Sequence, residues 1–199
     1  MLEDGAKPTN ANTYTASITV GGATASVTYT IDRADPKVGD FTFIAPTELE
    51  YNGTSKTATV KANDDIKGMG TVTVKYYQGD KQVENPMDAG DYTVKIDVAE
   101  GTNYTAKAGL ENENWKFTIS RAKLTLNADD FTFKAADNLI YNGETKTAEV
   151  TWKDASKAKG FGEITVKYYD KDGKEVKEPK DAGTYTVKID VAQGVGYEA

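Results

Sequence analysis

The chain has no cysteine and no histidine in 199 residues. Without cysteine there is no disulfide and no thiolate metal site, and without histidine the commonest general base and metal ligand are gone. Nucleophilic catalysis through a Ser–His or Cys–His pair is excluded, and no G-x-S-x-G or S-x-x-K motif sits between a strand and a helix as its chemistry needs. No apolar run reaches the ~18 residues of a membrane helix. The opening "MLEDGAKPTN" lacks the apolar middle of a signal peptide, so an exported form is expected to have had its signal removed. Positive charge is the scarcer sign: Lys and Arg number 24 against 31 Asp and Glu, a net −7, with the acids spread along the chain. Nucleic acid and anionic membrane are therefore poor partners. Hydrophobic residues make up 38%, below the roughly 45–50% of a typical globular chain, which suits thin β domains with much exposed face. No cofactor is called for.

What is present is repetition. "DAGDYTVKIDV" at Asp88–Val98 returns as "DAGTYTVKIDV" at Asp181–Val191. Landmarks recur at nearly constant separation: Phe41 with Phe131, Tyr51 with Tyr141, Tyr76 with Tyr168 and Tyr92 with Tyr185. A third, partial copy stands at the start, where "TYTASITV" (Thr13–Val20) matches "DYTVKIDV" and "VTYTIDRA" (Val27–Ala34) matches "WKFTISRA" (Trp115–Ala122). Repeat architectures restate core and turns in every unit, whereas an active site is seldom duplicated so faithfully. The expected domains are residues 1–34, the closing strand pair of a preceding repeat; residues 35–122, a complete repeat; and residues 123–199, a second repeat lacking its last strand.

Within a unit, apolar residues alternate with period two, which predicts strands with one buried face. The predicted order is "FTF" (Phe41, Phe131), "KTATVKA" or "KTAEVTW", "TVTVKYY" or "EITVKYY", "YTVKIDV", and "WKFTI" at Trp115–Ile119. Turns follow from "YNG", "QGD" and "DKDG", where Gly and Asn supply positive φ. Five or six short strands in about 90 residues give an all-β fold of tandem Ig-like β-sandwich modules. The segment "KDASKAKG" (Lys153–Gly160) is the one stretch that could form a helical turn, and with it β-grasp-like modules would be the alternative.

"DAG-x-Y-x-V" resembles the tyrosine corner of immunoglobulin-type sandwiches, in which a tyrosine hydroxyl bonds back to the corner's backbone and a buried Cys follows two residues later. Tyr92 and Tyr185 are the structural tyrosines, and Val94 and Val187 stand where that Cys would be.

The candidate chemical groups each have a plainer reading beside them. Asp64/Asp65 and Asp129/Asp130 could pair for acid–base work, yet sit in polar loops where solvated turn carboxylates are the rule. "DKDGKE" (Asp170–Glu175) begins like a calcium loop, but its glycine comes too early for an EF-hand, so a hairpin turn is expected and no metal site. Asn52-Gly53-Thr54 and Asn103-Tyr104-Thr105 match glycosylation sequons. A self-formed isopeptide cross-link would draw on Lys56, Asn114 and Asp88. Tyr77 and Tyr169 follow inward-facing tyrosines and should point outward on a Lys/Thr-rich face, where flat rings can stack on sugar or grip peptide; packing under the adjacent hairpin is the alternative.

From Thr13 onward the chain resembles tandem repeats of large bacterial surface proteins, of the Ig-like kind labelled MBG or YDG-type modules. The resemblance is carried by "YNGTSKTATV" and "YNGETKTAEV", the "TVKYY" strand, "DAG-x-YTVKIDV" and the closing "WKFTISRA". It implies an extracellular, cell-surface stalk or adhesin segment whose partners are neighbouring repeats of the same protein, with no catalytic residue. Two functions follow as expectations: a structural spacer joined by short linkers such as "DRADPKVGD" and "SRAKLTLNADD", or a module binding host glycan or protein through Tyr77 and Tyr169. The mismatched ends add a third expectation: an open sheet edge after "YTVKIDV" in the second unit, which strand Val27–Ile31 of another molecule could fill, an association expected as an artefact of where the sequence is cut and suppressed by one further "WKFTISRA" segment.

Overall fold

A computed structural model of the chain describes residues 7–199. Its elements run β1 (Asn12–Val20), β2 (Ala23–Ile31), β3 (Phe41–Ile44), β4 (Thr59–Ala62), β5 (Val72–Gln78), β6 (Lys81–Val83), β7 (Gly90–Val98), β8 (Lys107–Ile119), β9 (Phe131–Lys134), β10 (Glu149–Trp152), α1 (Ala155–Ala158), β11 (Ile164–Tyr169), β12 (Glu175–Val176) and β13 (Thr186–Val191). Two compact units form. Unit 1 takes the chain up to Glu48 with Lys56–Pro86 and Asp91–Thr118; unit 2 takes Leu49–Ser55, Met87–Gly90 and Ile119–Ala199. The fold is all-β, built of antiparallel sheets without barrel closure, as sandwich modules require.

In unit 1, β1 and β2 make a hairpin through Gly21 and Gly22, whose φ of 59° and 85° are those of the two-residue turn that matches strand twist. The sandwich opposes the pair β3–β4 to a sheet of order β6-β5-β7-β8. Alternation places Tyr92, Val94, Ile96 and Val98 of β7 inward, all buried, with Trp115 and Phe117 of β8 beside them. Across the two layers Phe41 meets Trp115 edge-on and Phe43 stacks on it, each at 6.4 Å. Phe117 lies between Tyr92, stacked at 5.3 Å, and Tyr76, edge-on at 6.2 Å. Tyr76 keeps its polar end satisfied by donating to the Ala58 carbonyl at 3.0 Å, which ties β5 to the approach of β4.

Unit 2 pairs β9 with β10 and sets β11 between β12 and β13. The register repeats: Tyr168↔Val187, Val166↔Ile189 and Ile164↔Val191 answer Tyr76↔Val94, Val74↔Ile96 and Val72↔Val98. Lys153–Gly160 does form a helical turn, α1, begun by Asp154, whose carboxylate accepts from the Ser156 backbone and hydroxyl at 2.8 and 2.7 Å. Four residues cannot cover a sheet, so the β-grasp alternative does not arise. Two short strands were not anticipated, β6 and β12; each follows its turn for only two or three residues, too few for alternation to show.

The two sandwiches also differ at one sheet edge. The outer edge of β7 is paired with β8, whereas β13 has no strand on that side among the described residues. Tyr185, Val187 and Ile189 are accordingly half-buried where Tyr92, Val94 and Ile96 are sealed.

Candidate functional site: a backbone clasp made twice

The stretches read as short linkers, "DRADPKVGD" and "SRAKLTLNADD", begin with hydrogen-bonded clasps. In unit 1, the Ala34 N–H donates to the Asn103 carbonyl and the Thr105 N–H returns to the Ala34 carbonyl, both at 2.9 Å. Arg33 Nε donates to the Gly101 carbonyl at 3.0 Å. In unit 2, the Ala122 N–H donates to the Gly196 carbonyl at 2.9 Å, the Glu198 N–H to the Ala122 carbonyl at 3.1 Å, and Arg121 Nε to the Gly194 carbonyl at 3.0 Å. Even the loops' internal bonds agree, with Gly101 donating to Tyr104 and Gly194 to Tyr197. An Arg-Ala dipeptide therefore lies as a parallel bridge beside a Gly-x-x-Tyr loop in both units.

Unit 2 adds an aromatic half to its clasp. Tyr51, buried at 8% exposure, meets Tyr197 edge-on at 5.1 Å, and Tyr197 continues a row through Phe161 (4.4 Å), Trp152 (5.1 Å) and Phe131 (4.6 Å). Gly160 and Gly196 make room: a Cβ on the first would stand 2.5 Å from the Tyr197 ring, and on the second 2.3 Å from Tyr51. Backbone bonds stitch the same place, from Tyr51 N–H to Ser120, from Ser120 N–H to Leu49 and from Ala89 N–H to Val195, at 2.7–2.9 Å. Burial, then the neighbouring Tyr197 and Asp88, raise the Tyr51 hydroxyl above its ordinary pKa, so the ring stays neutral. Such an arrangement can hold two chain segments together but offers no nucleophile, base or vacant ligand.

The sequence-derived tyrosines fall in three settings. The Tyr185 hydroxyl donates to the Asp181 carbonyl four residues back at 3.0 Å, and Tyr14, at the matching place of the partial copy, does the same to Asn10 at 2.8 Å. Tyr92 is 1% exposed and packed on Phe117. Tyr77 and Tyr169 are half-buried, and one ring face of each is taken by a cation: Lys95 Nζ 5.3 Å from the Tyr77 centroid and Lys188 Nζ 4.7 Å from that of Tyr169.

The other candidates are engaged in local structure. Asp170 Oδ1 accepts the Asp172 and Lys174 N–H groups, both at 2.9 Å, as a turn carboxylate. Asp130 accepts the Asn127 N–H and the Lys157 ammonium, and chiefly the latter holds its carboxyl below the usual range. Among the described residues no group of three acids is placed to hold a metal ion. Of the cross-link trio, Lys56 is buried while Asn114 lies on the exposed face of β8. The Asn103 side chain is spent on Ala11, Asn10 and Lys67, and Asn52 on Thr54.

The MBG domain family matches residues 42–122 and again residues 131–196, most of the chain. The chain belongs to that family. No curated protein and no solved structure matches it. MBG domains occur in surface proteins and are not an enzymatic family, which agrees with a site made of backbone bonds and stacked rings. Within these MBG modules the clasp was missed at sequence level, although its signal was present: Arg-Ala at 33–34 and 121–122, and Gly-x-x-Tyr at 101–104 and 194–197, both recur. They lie outside the alternating strands, where attention to period two does not reach.

Proposed function

We propose that this chain is a spacer segment of a bacterial cell-surface protein, an adhesin in which its modules hold a binding portion away from the cell. The modules would be residues 35–122 and 123–199, following the closing strand pair of another at residues 1–34, and their partners the neighbouring repeats. The observation that carries this reading is the twice-made clasp, Arg33-Ala34 on Gly101–Tyr104 and Arg121-Ala122 on Gly194–Tyr197. A spacer needs each segment entering a module to be held, and needs the same holding device every time. The absence of histidine and cysteine fits a structural role without Ser–His or Cys–His chemistry.

The competing reading is a glycan- or host-protein-binding module working through Tyr77 and Tyr169. It is the weaker, because Lys95 and Lys188 already occupy one ring face each and Lys95 is itself paired with Glu111 at 2.5 Å. A substitution experiment separates the two. In a surface protein carrying these repeats, exchanging them for unrelated β-sandwich repeats of equal number should preserve adhesion, whereas deleting them should reduce it. Loss of adhesion on exchange, together with glycan or host-protein binding by the 199-residue chain that Tyr77→Ala and Tyr169→Ala abolish, would establish the binding module instead.

A further inference from the structure

Each repeat holds one Asn-Gly pair, Asn52-Gly53 and Asn142-Gly143, and no other asparagine in the sequence is followed by glycine. In such a pair the backbone nitrogen of the second residue reaches the side-chain carboxamide of the first most easily, because glycine has no Cβ to shield it. Both pairs sit on exposed bends. Gly53 and Gly143 have φ of 74° and 79°, with nothing within 4 Å of where a Cβ would stand. Among the described residues neither glycine N–H is spent on a carbonyl.

Each carboxamide is held over its own turn. Asn52 Oδ1 accepts the Thr54 N–H at 3.1 Å and the Thr54 hydroxyl at 2.6 Å. Asn142 Oδ1 accepts the Glu144 N–H at 3.1 Å, while its Nδ2 donates to Glu144 Oε2 at 2.6 Å. A bond of this kind, from the second residue onward, folds the carboxamide back along the intervening peptide. At Asn52 both donors face the oxygen on which negative charge develops when Cγ is attacked, and donors already in place there lower the barrier. At Asn142 a carboxylate stands beside the amide instead, and its charge opposes that oxyanion.

We propose that both asparagines are sites of intramolecular deamidation, that Asn52 reacts faster than Asn142, and that the product at Asn52 loosens the clasp of unit 2. The Gly53 nitrogen gives its proton to solvent base and bonds to Asn52 Cγ. The Cγ–Nδ2 bond then breaks, and Nδ2 takes a proton from water and leaves as ammonia. One water opens the resulting succinimide at either carbonyl, leaving aspartate, or isoaspartate in which the chain runs through the former side chain. Isoaspartate lengthens the backbone by one methylene directly after Tyr51, whose N–H is bonded to Ser120 and whose ring is buried against Tyr197. This goes beyond the spacer reading and does not depend on it.

Prolonged incubation of the 199-residue protein at mildly alkaline pH, followed by peptide mapping in a mass spectrometer and enzymatic labelling of isoaspartate, tests the idea. Deamidation should accumulate first at Asn52 and then at Asn142, ahead of every other asparagine. Thr54→Val removes the hydroxyl and keeps its shape, and should slow Asn52 roughly two- to tenfold, the rate equivalent of one net hydrogen bond. Glu144→Thr should bring Asn142 toward the rate of Asn52. Aged protein should melt below fresh protein, whereas Asn52→Gln, which would have to close a larger ring, should keep its own fresh melt on ageing. Fresh Asn52→Asp should melt like the wild type, because its carboxylate still accepts from Thr54; that assigns the loss to isoaspartate. An Asn52 that stays intact, or reacts no faster than Asn142, would overturn the proposal. So would a Thr54→Val rate equal to wild type, or isoaspartate at Asn52 that leaves the melt unchanged.

Discussion

The ring of Tyr51 fills the space that a Cβ on Gly196 would need, coming within 2.3 Å of such an atom. Gly196 has no conformational reason to be glycine, since no positive φ is found there; the reason is steric. Gly196→Ala should therefore force Tyr51 off Tyr197 and destabilise unit 2 by about 1–3 kcal/mol, the range of overpacked cores. Gly183→Ala, where nothing lies within 4 Å, is the control and should be nearly neutral. Urea midpoints of the two variants decide it. Equal midpoints would mean that Tyr51 is not held against Gly196.

Arg33 and Arg121 each give one Nε hydrogen bond to a carbonyl, at 3.0 Å in both cases. Replacing either by Ala should cost about 0.5–1.5 kcal/mol, the worth of one such bond. The two losses should agree closely, because the Nε bonds match and the additional pair of Arg33 with Glu100, at 3.6 Å and exposed, adds little. Lysine should not restore the bond, since its ammonium is a point charge on a flexible stem and lacks the planar fork that lays Nε along the backbone. Denaturant titrations of the four single variants give the comparison; a wide disparity between Arg33→Ala and Arg121→Ala would show that the clasps are not equivalent.

The repeat, the strands and the turns were legible in the sequence because alternation in residues such as Tyr92, Val94, Ile96 and Val98 reports directly on one buried face. The clasp was not, because it rests on backbone carbonyls of Gly101 and Gly194, and carbonyls carry no residue-type signature. Tyr51 read as a turn residue beside Asn52-Gly53; its burial depends on Gly196 and Tyr197, more than 140 residues away. Its counterpart Tyr141 has the same local sequence and is 63% exposed, so local sequence alone could not have separated them. The lysines over Tyr77 and Tyr169 escaped notice for a similar reason: Lys95 and Lys188 reach across from the paired strand.

Acid should weaken the protein through a few named carboxylates. Asp97 is held below its ordinary pKa by Lys75 and by the Gly109 N–H, and Asp130 by Lys157 and the Asn127 N–H. A carboxyl depressed in the folded state contributes stability that is complete above its unfolded pKa, near ~3.9, and is lost as pH falls through the lower folded value. The partner lysines, raised by the same bonds, contribute fully below about 10.4 and lose that contribution as pH rises past their folded values. Thermal melts of Asp97→Asn and Asp130→Asn should thus show a shallower fall below about pH 4 than the wild type. Parallel curves would mean that these pairs do not carry the acid dependence.

Tyr14, Tyr92 and Tyr185 should respond unequally to loss of their hydroxyls. Tyr14 and Tyr185 each donate to a carbonyl four residues earlier, at exposed positions. Water can take the place of either hydroxyl, so Tyr14→Phe and Tyr185→Phe should each cost less than about 1 kcal/mol. Tyr92 is 1% exposed, stacked on Phe117 beneath β8, and water cannot follow the missing oxygen there. Among the described residues no buried side-chain nitrogen or oxygen lacks a partner, so Tyr92→Phe removes a satisfied contact from a sealed layer and should cost about 1–3 kcal/mol. Melting curves of the three variants measure this order; a Tyr185→Phe penalty equal to that of Tyr92→Phe would mean that water does not replace the Tyr185 hydroxyl.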